Sequence, residues 1–331
     1  MSVDVEQLYK SFGELADAKE NAKQHPEAYK TIMKGTKGNA STKRLAAQFI
    51  SRFFKHFPNE AEEAINSLLD LCEDEDAEIR KAAIKQIPNL CKADKQHLSR
   101  LADVLAQLLA SDDESEVSVV NISLNGLFKL DAKGTLSGVF AQILGGDEDV
   151  REKAIKYLCT CLKSASESDM NKETEEYVLA EAKKIMEDVT GDEFQILMQG
   201  LASLHHLQTI QGRQQMVDII AEQMNLEDEF KVSDPDSVNR ISQCVGMAMP
   251  LCSRNVHASR FVNYLCQKVL PTLTKEEATN GQDTKESSPK DRKLELMKQL
   301  AEMSLFCGNG TNIIESIEPV FVNRTPPSNT T

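Results

Sequence analysis

Apolar residues recur at i, i+3, i+4 and i+7 through most of this chain. The stretches EAEEAINSLLDLC (60–72), HLSRLADVLAQLLA (97–110) and GRQQMVDIIAEQM (212–224) each present one apolar face, so each predicts an amphipathic helix. A second kind of segment follows them. It opens with an acidic turn, continues with Ile or Val and then Arg, and runs on with small or apolar residues at helical spacing. DEDAEIRKAAIKQIPNL (74–90) and GDEDVREKAIKYLCTCL (146–162) carry the full pattern. SDDESEVSVVNISLNGLFKL (111–130) keeps the acidic turn and Val117 but has Ser118 where the arginine would fall, and NASTKRLAAQFISRFFKHF (39–57) keeps Arg44 and the apolar stripe.

Aligned on one register, Arg44, Arg80, Ser118 and Arg151 become equivalent, with steps of 36, 38 and 33 residues. The pattern continues through 191–204, 233–251 and 288–306, for about seven units of a size suited to paired helices. One such helix pair cannot bury its apolar face alone, but stacked pairs bury a continuous core. The expected fold is therefore all-α: a right-handed superhelical solenoid of antiparallel helix pairs. Residues 1–24 read as an N-terminal capping helix with Leu8, Phe12 and Leu15 on one side, and 25–307 as the repeat array. The polar stretch 273–290 reads as a flexible loop within the last unit, and 308–331 as a disordered tail.

The turn CEDEDAEIR (72–80) raises the possibility of calcium. A calcium loop needs Gly at its sixth position and Glu at its twelfth; counted from Asp74 these are Ile79 and Lys85, so the reading fails. The alternative is a helix start, with Asp74 and Asp76 capping orphan N–H groups and Glu78 at the positive end of the dipole. Asp112 and Asp147 hold the matching turns, and Arg44, Arg80 and Arg151 the matching ladder positions.

Composition narrows the function. The chain holds 38 Lys and Arg against 52 Asp and Glu, a formal charge of −14, which disfavours direct nucleic-acid binding over its main surface. Its eight cysteines are dispersed at apolar positions without zinc spacing, which points to small buried hydrophobes in a reducing compartment. Neither a secretory h-region nor an apolar run of about 18 residues is present, so no membrane span is expected. The six histidines form no metal-binding i, i+4 pair; His205 and His206 are adjacent and face apart. GTKGNASTK (35–43) lacks the G-x-x-x-x-G-K-[ST] spacing of a phosphate loop. No nucleophile constellation emerges, and no enzyme, cofactor or metal is expected. Leu105, Leu108 and Leu109 form an LxxLL sequence, which is either a docking motif or the core stripe of a repeat helix; the same periodicity in neighbouring units favours the core.

The acidic turn followed by Val/Ile-Arg and a small-residue helix resembles the HEAT repeat. More specifically, residues 1–307 resemble the N-terminal half of the apoptosis-inhibitor-5 (antiapoptosis clone 11) family. The resemblance rests on KRLAAQFISRFFKHFP (43–58), LDLCEDEDAEIRKAAIKQIP (69–88), FKLDAKGTLSGVFAQIL (128–144), VREKAIKYL (150–158), GRQQMVDIIAEQ (212–223) and SRNVHASRFVNYLCQKVLP (253–271). It implies a HEAT- and armadillo-like scaffold without catalytic activity that suppresses programmed cell death through nuclear protein partners, with Acinus and fibroblast growth factor 2 as the suggested ones. It also implies that the repeat arginine bonds to an acidic turn residue, often of the adjacent repeat. The family's zipper-like segment and basic tail with its nuclear signal have no counterpart here, which reads as a truncated or spliced form, cytoplasmic as well as nuclear. Such a form would expose an apolar end around Leu296, Leu300, Met303 and Phe306. The family's acetyl-lysine position is occupied by Arg254.

In a solenoid the second helices line the concave face. Lys55, Lys81, Lys85, Lys129 and Lys156, with Arg44, give that set a basic lean and are the candidate partner contacts for an acidic or helical peptide; the plainer reading is a solvated helix face. The function expected is a protein–protein scaffold in apoptosis control. The alternative is an adaptor of nuclear mRNA-processing or export complexes with RNA association.

Overall fold

The computed structural model describes residues 3–186, 188–222, 230, 234–269 and 289–307. Among them every regular element is helical; the sole β feature is an isolated bridge between Ser253 and Val256. The chain forms two compact units, one of Met1–Ile185 with Asp192–Gly200, the other of Met186–Gly191 with Leu201–Thr331.

The first unit is a stack of helix pairs. It opens with α1 (Val5–Ala18), α2 (Pro26–Lys34) and α3 (Ala40–Phe53). A full capping box starts α1: Asp4 Oδ1 accepts from Gln7 N at 2.8 Å, and Gln7 Oε1 accepts from Asp4 N at 3.2 Å. Leu8 and Leu15 are buried on the α2–α3 side, and Phe12 meets the rings of Phe49 and Phe53 at 4.5 and 5.4 Å. The 1–24 stretch thus holds α1 followed by a 3₁₀ turn, Lys19–Gln24.

Four more pairs follow. They are α4 (Ala61–Cys72) with α5 (Ala77–Ile84) and α6 (Ile87–Ala93), α7 (Leu98–Gln107) with α8 (Glu114–Leu130), α9 (Ala132–Gly145) with α10 (Glu148–Ser164), and α11 (Lys172–Met186) with α12 (Gly191–Leu201). The apolar stripes supply the core. In α7 Leu101, Ala102 and Leu105 are fully buried, and each buried leucine contributes about 1.5–3 kcal/mol of transfer free energy. Leu105 and Leu109 of the LxxLL sequence lie in this core, with Leu108 half-buried.

The helical spacing expected to run on after the acidic turn to residue 90 is broken into α5 and α6. Pro88 has no N–H, and its ring crowds the carbonyl four residues back. That carbonyl, of Ile84, instead accepts from Ser123 Oγ of the next pair at 3.2 Å. Gln86, at the break, accepts from Ser51 Oγ of the preceding pair at 2.8 Å. A local proline defect is therefore used twice for stacking. Gly138 explains the close α7–α9 contact: a Cβ there would lie 2.4 Å from Asp103 N and 2.5 Å from Ser99 O.

The second unit contains α13 (His205–Gln208), α14 (Ile210–Glu222), α15 (Pro235–Ala248), α16 (Ser259–Tyr264) with a π-helical turn at Leu265–Val269, and α17 (Pro289–Ser304). The His257 backbone is clamped by Gln214, whose Oε1 accepts from His257 N at 2.7 Å while Nε2 donates to His257 O at 3.0 Å.

Two expectations change here. Helix α17 begins at Pro289, so the last two residues of the expected 273–290 loop are helical; the rest of that loop, and the 308–331 tail, lie outside the described residues. Leu296, Leu300 and Met303 do not form an exposed end. They are buried (1, 8 and 0% exposed) because that stripe faces α15 and α16 of the same unit, and Phe306 O accepts from Ala258 N. The exposed apolar residues are Leu294 and Met297 on the opposite side of α17, with Leu305 just beyond it.

Candidate functional site

The second helices α3, α5–α6, α8, α10 and α12 follow one another along the first unit, and charged rungs join them. Arg80, one turn into α5, reaches the next pair: its Nη2 and Nε lie 2.7 and 2.8 Å from Oε2 of Glu116, a nearly fully buried carboxylate on α8. The same guanidinium donates back to the carbonyls of Asp74 (2.8 Å) and Glu75 (3.2 Å), tying its own turn to its neighbour. Arg151 repeats the arrangement, with Nε 2.9 Å from Glu193 of α12 and Nη1 donating to Ile143 O at 3.0 Å.

The first rung departs from the expected register. Lys43, not Arg44, meets the next turn, with Nζ 2.5 Å from Asp74 Oδ2. Arg44 is exposed and donates only to Ala40 O of its own helix, because one residue is a rotation of about 100° on a helix. Lys43, Arg80, Val117 and Arg151 are each the fourth residue of their helix, so the true third member is Val117 and not Ser118. The acids shift likewise. Asp76 caps α5 through Glu78 N at 2.8 Å, and Asp74 accepts from Asp76 N at 3.0 Å. At α8 the cap is Asp113, which accepts from Ser115 N and Glu116 N, whereas Asp112 is exposed outside the helix. Asp147 holds the cap position of α10, but its side chain makes no capping bond. The Lys43 ammonium beside Asp74 holds that carboxyl below the usual range, and the Ser115 hydroxyl and backbone N–H groups do so for Asp113.

The rung is absent between α8 and α10. Val117 stands where a cation would, and an open groove of about 400 Å³ lies there. Buried Leu109, Tyr157 and Cys161 form its floor; Val117, Asn121 and Asn125 line its α8 side, and exposed Lys153, Lys156 and Thr160 its α10 side. Tyr157 O–H donates to Asn125 Oδ1 at 3.2 Å across the groove. Burial pushes the Cys161 and Cys159 thiols up to about 11, so neither is a thiolate at neutral pH. Among the described residues no group of three or more His, Cys, Asp or Glu is placed to hold a metal, and no helix is long and apolar enough to cross a membrane.

The candidate contact lysines are scattered along the row. Only Lys156 lines the groove, and it pairs with Glu152 one turn back. Lys129 ends α8 and reaches Asp169 at 2.5 Å, and Lys55 lies 3.9 Å from Glu20. Lys81 is largely covered, held by Glu78 (2.6 Å) and Ser115 Oγ (2.9 Å); Lys85 is exposed. Arg254 is exposed at the tip of the Ser253–Val256 turn. Reading single lysines missed a broader signal in the same sequence. Residues 40–57, 79–93, 117–130 and 153–164, the bodies of four second helices, contain no Asp or Glu, although the chain has 52. Their exposed cations include Arg44, Arg52, Lys55, Lys85, Lys92, Lys153 and Lys163.

Comparison with known proteins places these features in a family. The model of Apoptosis inhibitory protein 5 (API5) matches residues 5–324. The chain is 51% identical to Apoptosis inhibitor 5 of Gallus gallus and 50% identical to that of Homo sapiens, over 96% of this chain and 59% of each relative. The Apoptosis inhibitor 5 homolog of Drosophila melanogaster is 38% identical over the same shares. The chain thus spans less than two thirds of the length of these relatives. On a match over nearly its whole length, the chain belongs to the Apoptosis inhibitory protein 5 family.

Proposed function

We propose that this chain restrains programmed cell death as a non-enzymatic scaffold, binding partner proteins along its row of second helices. The observation that carries this reading is the segregation of charge. Carboxylates gather at the helix starts and on α1, α4 and α11, while the exposed bodies of α3, α5–α6, α8 and α10 are acid-free and basic. On a chain of net charge −14, such a row discriminates among partners by electrostatic complementarity. The names of the relatives supply the direction, inhibition of apoptosis. The nucleus is the proposed compartment, and Acinus and fibroblast growth factor 2 are the first partners to test.

The experiment is complementation. Cells depleted of their own relative are given this chain or a Lys85→Glu/Lys92→Glu/Lys163→Glu variant, and caspase activity is followed after a death stimulus. The chain should lower caspase activity, and the variant, folded equally well, should not. Equal protection by both would overturn the role of the basic row; no protection by either would overturn the scaffold reading for this chain.

A further inference from the structure

We infer that the groove between α8 and α10 is a docking site for an acidic protein segment carrying an apolar anchor. This deepens the scaffold reading and rests on it. The groove lies where the charged ladder loses a rung. Arg80 and Arg151 each close the space to the following helix with an ion pair, whereas Val117 leaves the α8–α10 step open. The opening has a floor of Leu109, Tyr157 and Cys161, with Val117 beside it, and a rim of donors.

The rim donors suit an anion. Lys153 is exposed and makes no ion pair among the described residues. Lys156 pairs with Glu152 in an exposed i, i+4 contact, which solvent weakens and a ligand carboxylate readily replaces. Asn125 uses its Oδ1 to accept from Tyr157, which leaves its amide N–H₂ group free of that bond and available as a third donor in the lining. No carboxylate lines the groove, and none lies in 117–130 or 153–164. A volume of about 400 Å³ accommodates one or two side chains, not a folded surface.

Charge complementarity selects a peptide over a nucleic acid. A polyphosphate needs an extended track of cations. Here the track is two lysines, and the groove is flanked by Glu152 and Asp169 on a chain of net charge −14. A peptide with a few carboxylates around a leucine meets the two lysines and fills the apolar base, and its smaller charge meets less of that repulsion.

The test uses the full chain and three fluorescent peptides of about twelve residues. All share two central leucines in a glycine/serine background; the two residues on each side of the leucines are glutamates, glutamines or lysines. Anisotropy should show binding of the glutamate peptide, weakening of roughly tenfold for the glutamine peptide, and none for the lysine peptide. Lys153→Glu/Lys156→Glu should abolish binding with an unchanged thermal melt, and Asn125→Ala should weaken it. Failure of the glutamate peptide to bind, equal binding of the glutamine peptide, or a double variant within about twofold of the parent would overturn the site. So would a single-stranded RNA of matched charge that binds as tightly and is lost in the same variant. If the double variant loses the peptide yet still suppresses caspase activity, only the groove's role in that function falls; the scaffold reading stands on the rest of the row.

Discussion

Replacing Arg80 by alanine should be among the most damaging single changes available on the surface of the first unit. The guanidinium has three partners outside its own residue: the Glu116 carboxylate, at 2.7 and 2.8 Å, and the carbonyls of Asp74 and Glu75. The Glu116 side chain is 3% exposed and that of Arg80 23%. Stripping a buried carboxylate of its cation costs about 3–5 kcal/mol. Water can enter from the Arg80 side and screen the orphaned charge, which discounts that range to about 2–4 kcal/mol. Glu116→Gln keeps the shape and loses the charge, and should cost about 1–2 kcal/mol. The double variant removes both the orphaned charge and its partner, so its cost should fall short of the sum by about 1.5 kcal/mol or more. Arg80→Glu, which sets two carboxylates together, should be worse than Arg80→Ala. Urea unfolding followed by circular dichroism reads these values from the midpoint, provided the slope is unchanged. An Arg80→Ala midpoint equivalent to a loss under about 0.5 kcal/mol, or a strictly additive double variant, would refute the view that the rung couples neighbouring pairs.

Three further outcomes follow from the packing and the electrostatics. Leu105→Ala, at a fully buried position, should cost about 3–5 kcal/mol; unchanged melting with loss of a binding partner would instead make LxxLL a docking motif. Gly138→Ala should destabilise by about 1–3 kcal/mol although alanine is the better helix former by about 1 kcal/mol, because the new methyl strikes the α7 backbone at Asp103 and Ser99; a raised melting temperature would show that α9 can move away. The carboxyls of Asp74 and Asp113 titrate lower in the folded than in the unfolded chain, so their contribution is complete above about pH 4 and is lost as pH falls further. Stability should therefore be level with respect to these groups from neutral pH to about 5 and drop below about 4, and Asp74→Asn should flatten part of that drop; an unaltered acid profile for the variant would disprove the assignment.

Much of the fold was legible because helices are written locally. The 3.6-residue apolar period located α4, α7, α10 and α14, and the acidic turn placed the start of α5 at its Asp76 cap. The resemblance carried by those same stretches led to the family that the comparisons show. The acid-free bodies of the second helices were also in the sequence, but they have meaning only once those helices are known to lie side by side.

What the sequence by itself determined is the period of each helix, its caps and the paired order of the elements, since all three depend on residues within a turn or two of one another. The tertiary structure alone decided which of two adjacent residues makes each contact. Lys43 displaces Arg44 on the ladder. Pro88 turns from a helix breaker into the reason that Ile84 O is free for Ser123. Gly138 becomes the point where two helices touch, and Val117 the missing rung that opens a groove. Each of these depends on the rotational phase of one helix against another some 31 to 42 residues away, as in Lys43 with Asp74 and Arg151 with Glu193. A one-residue change in phase turns a side chain through about 100°, and no local pattern records it.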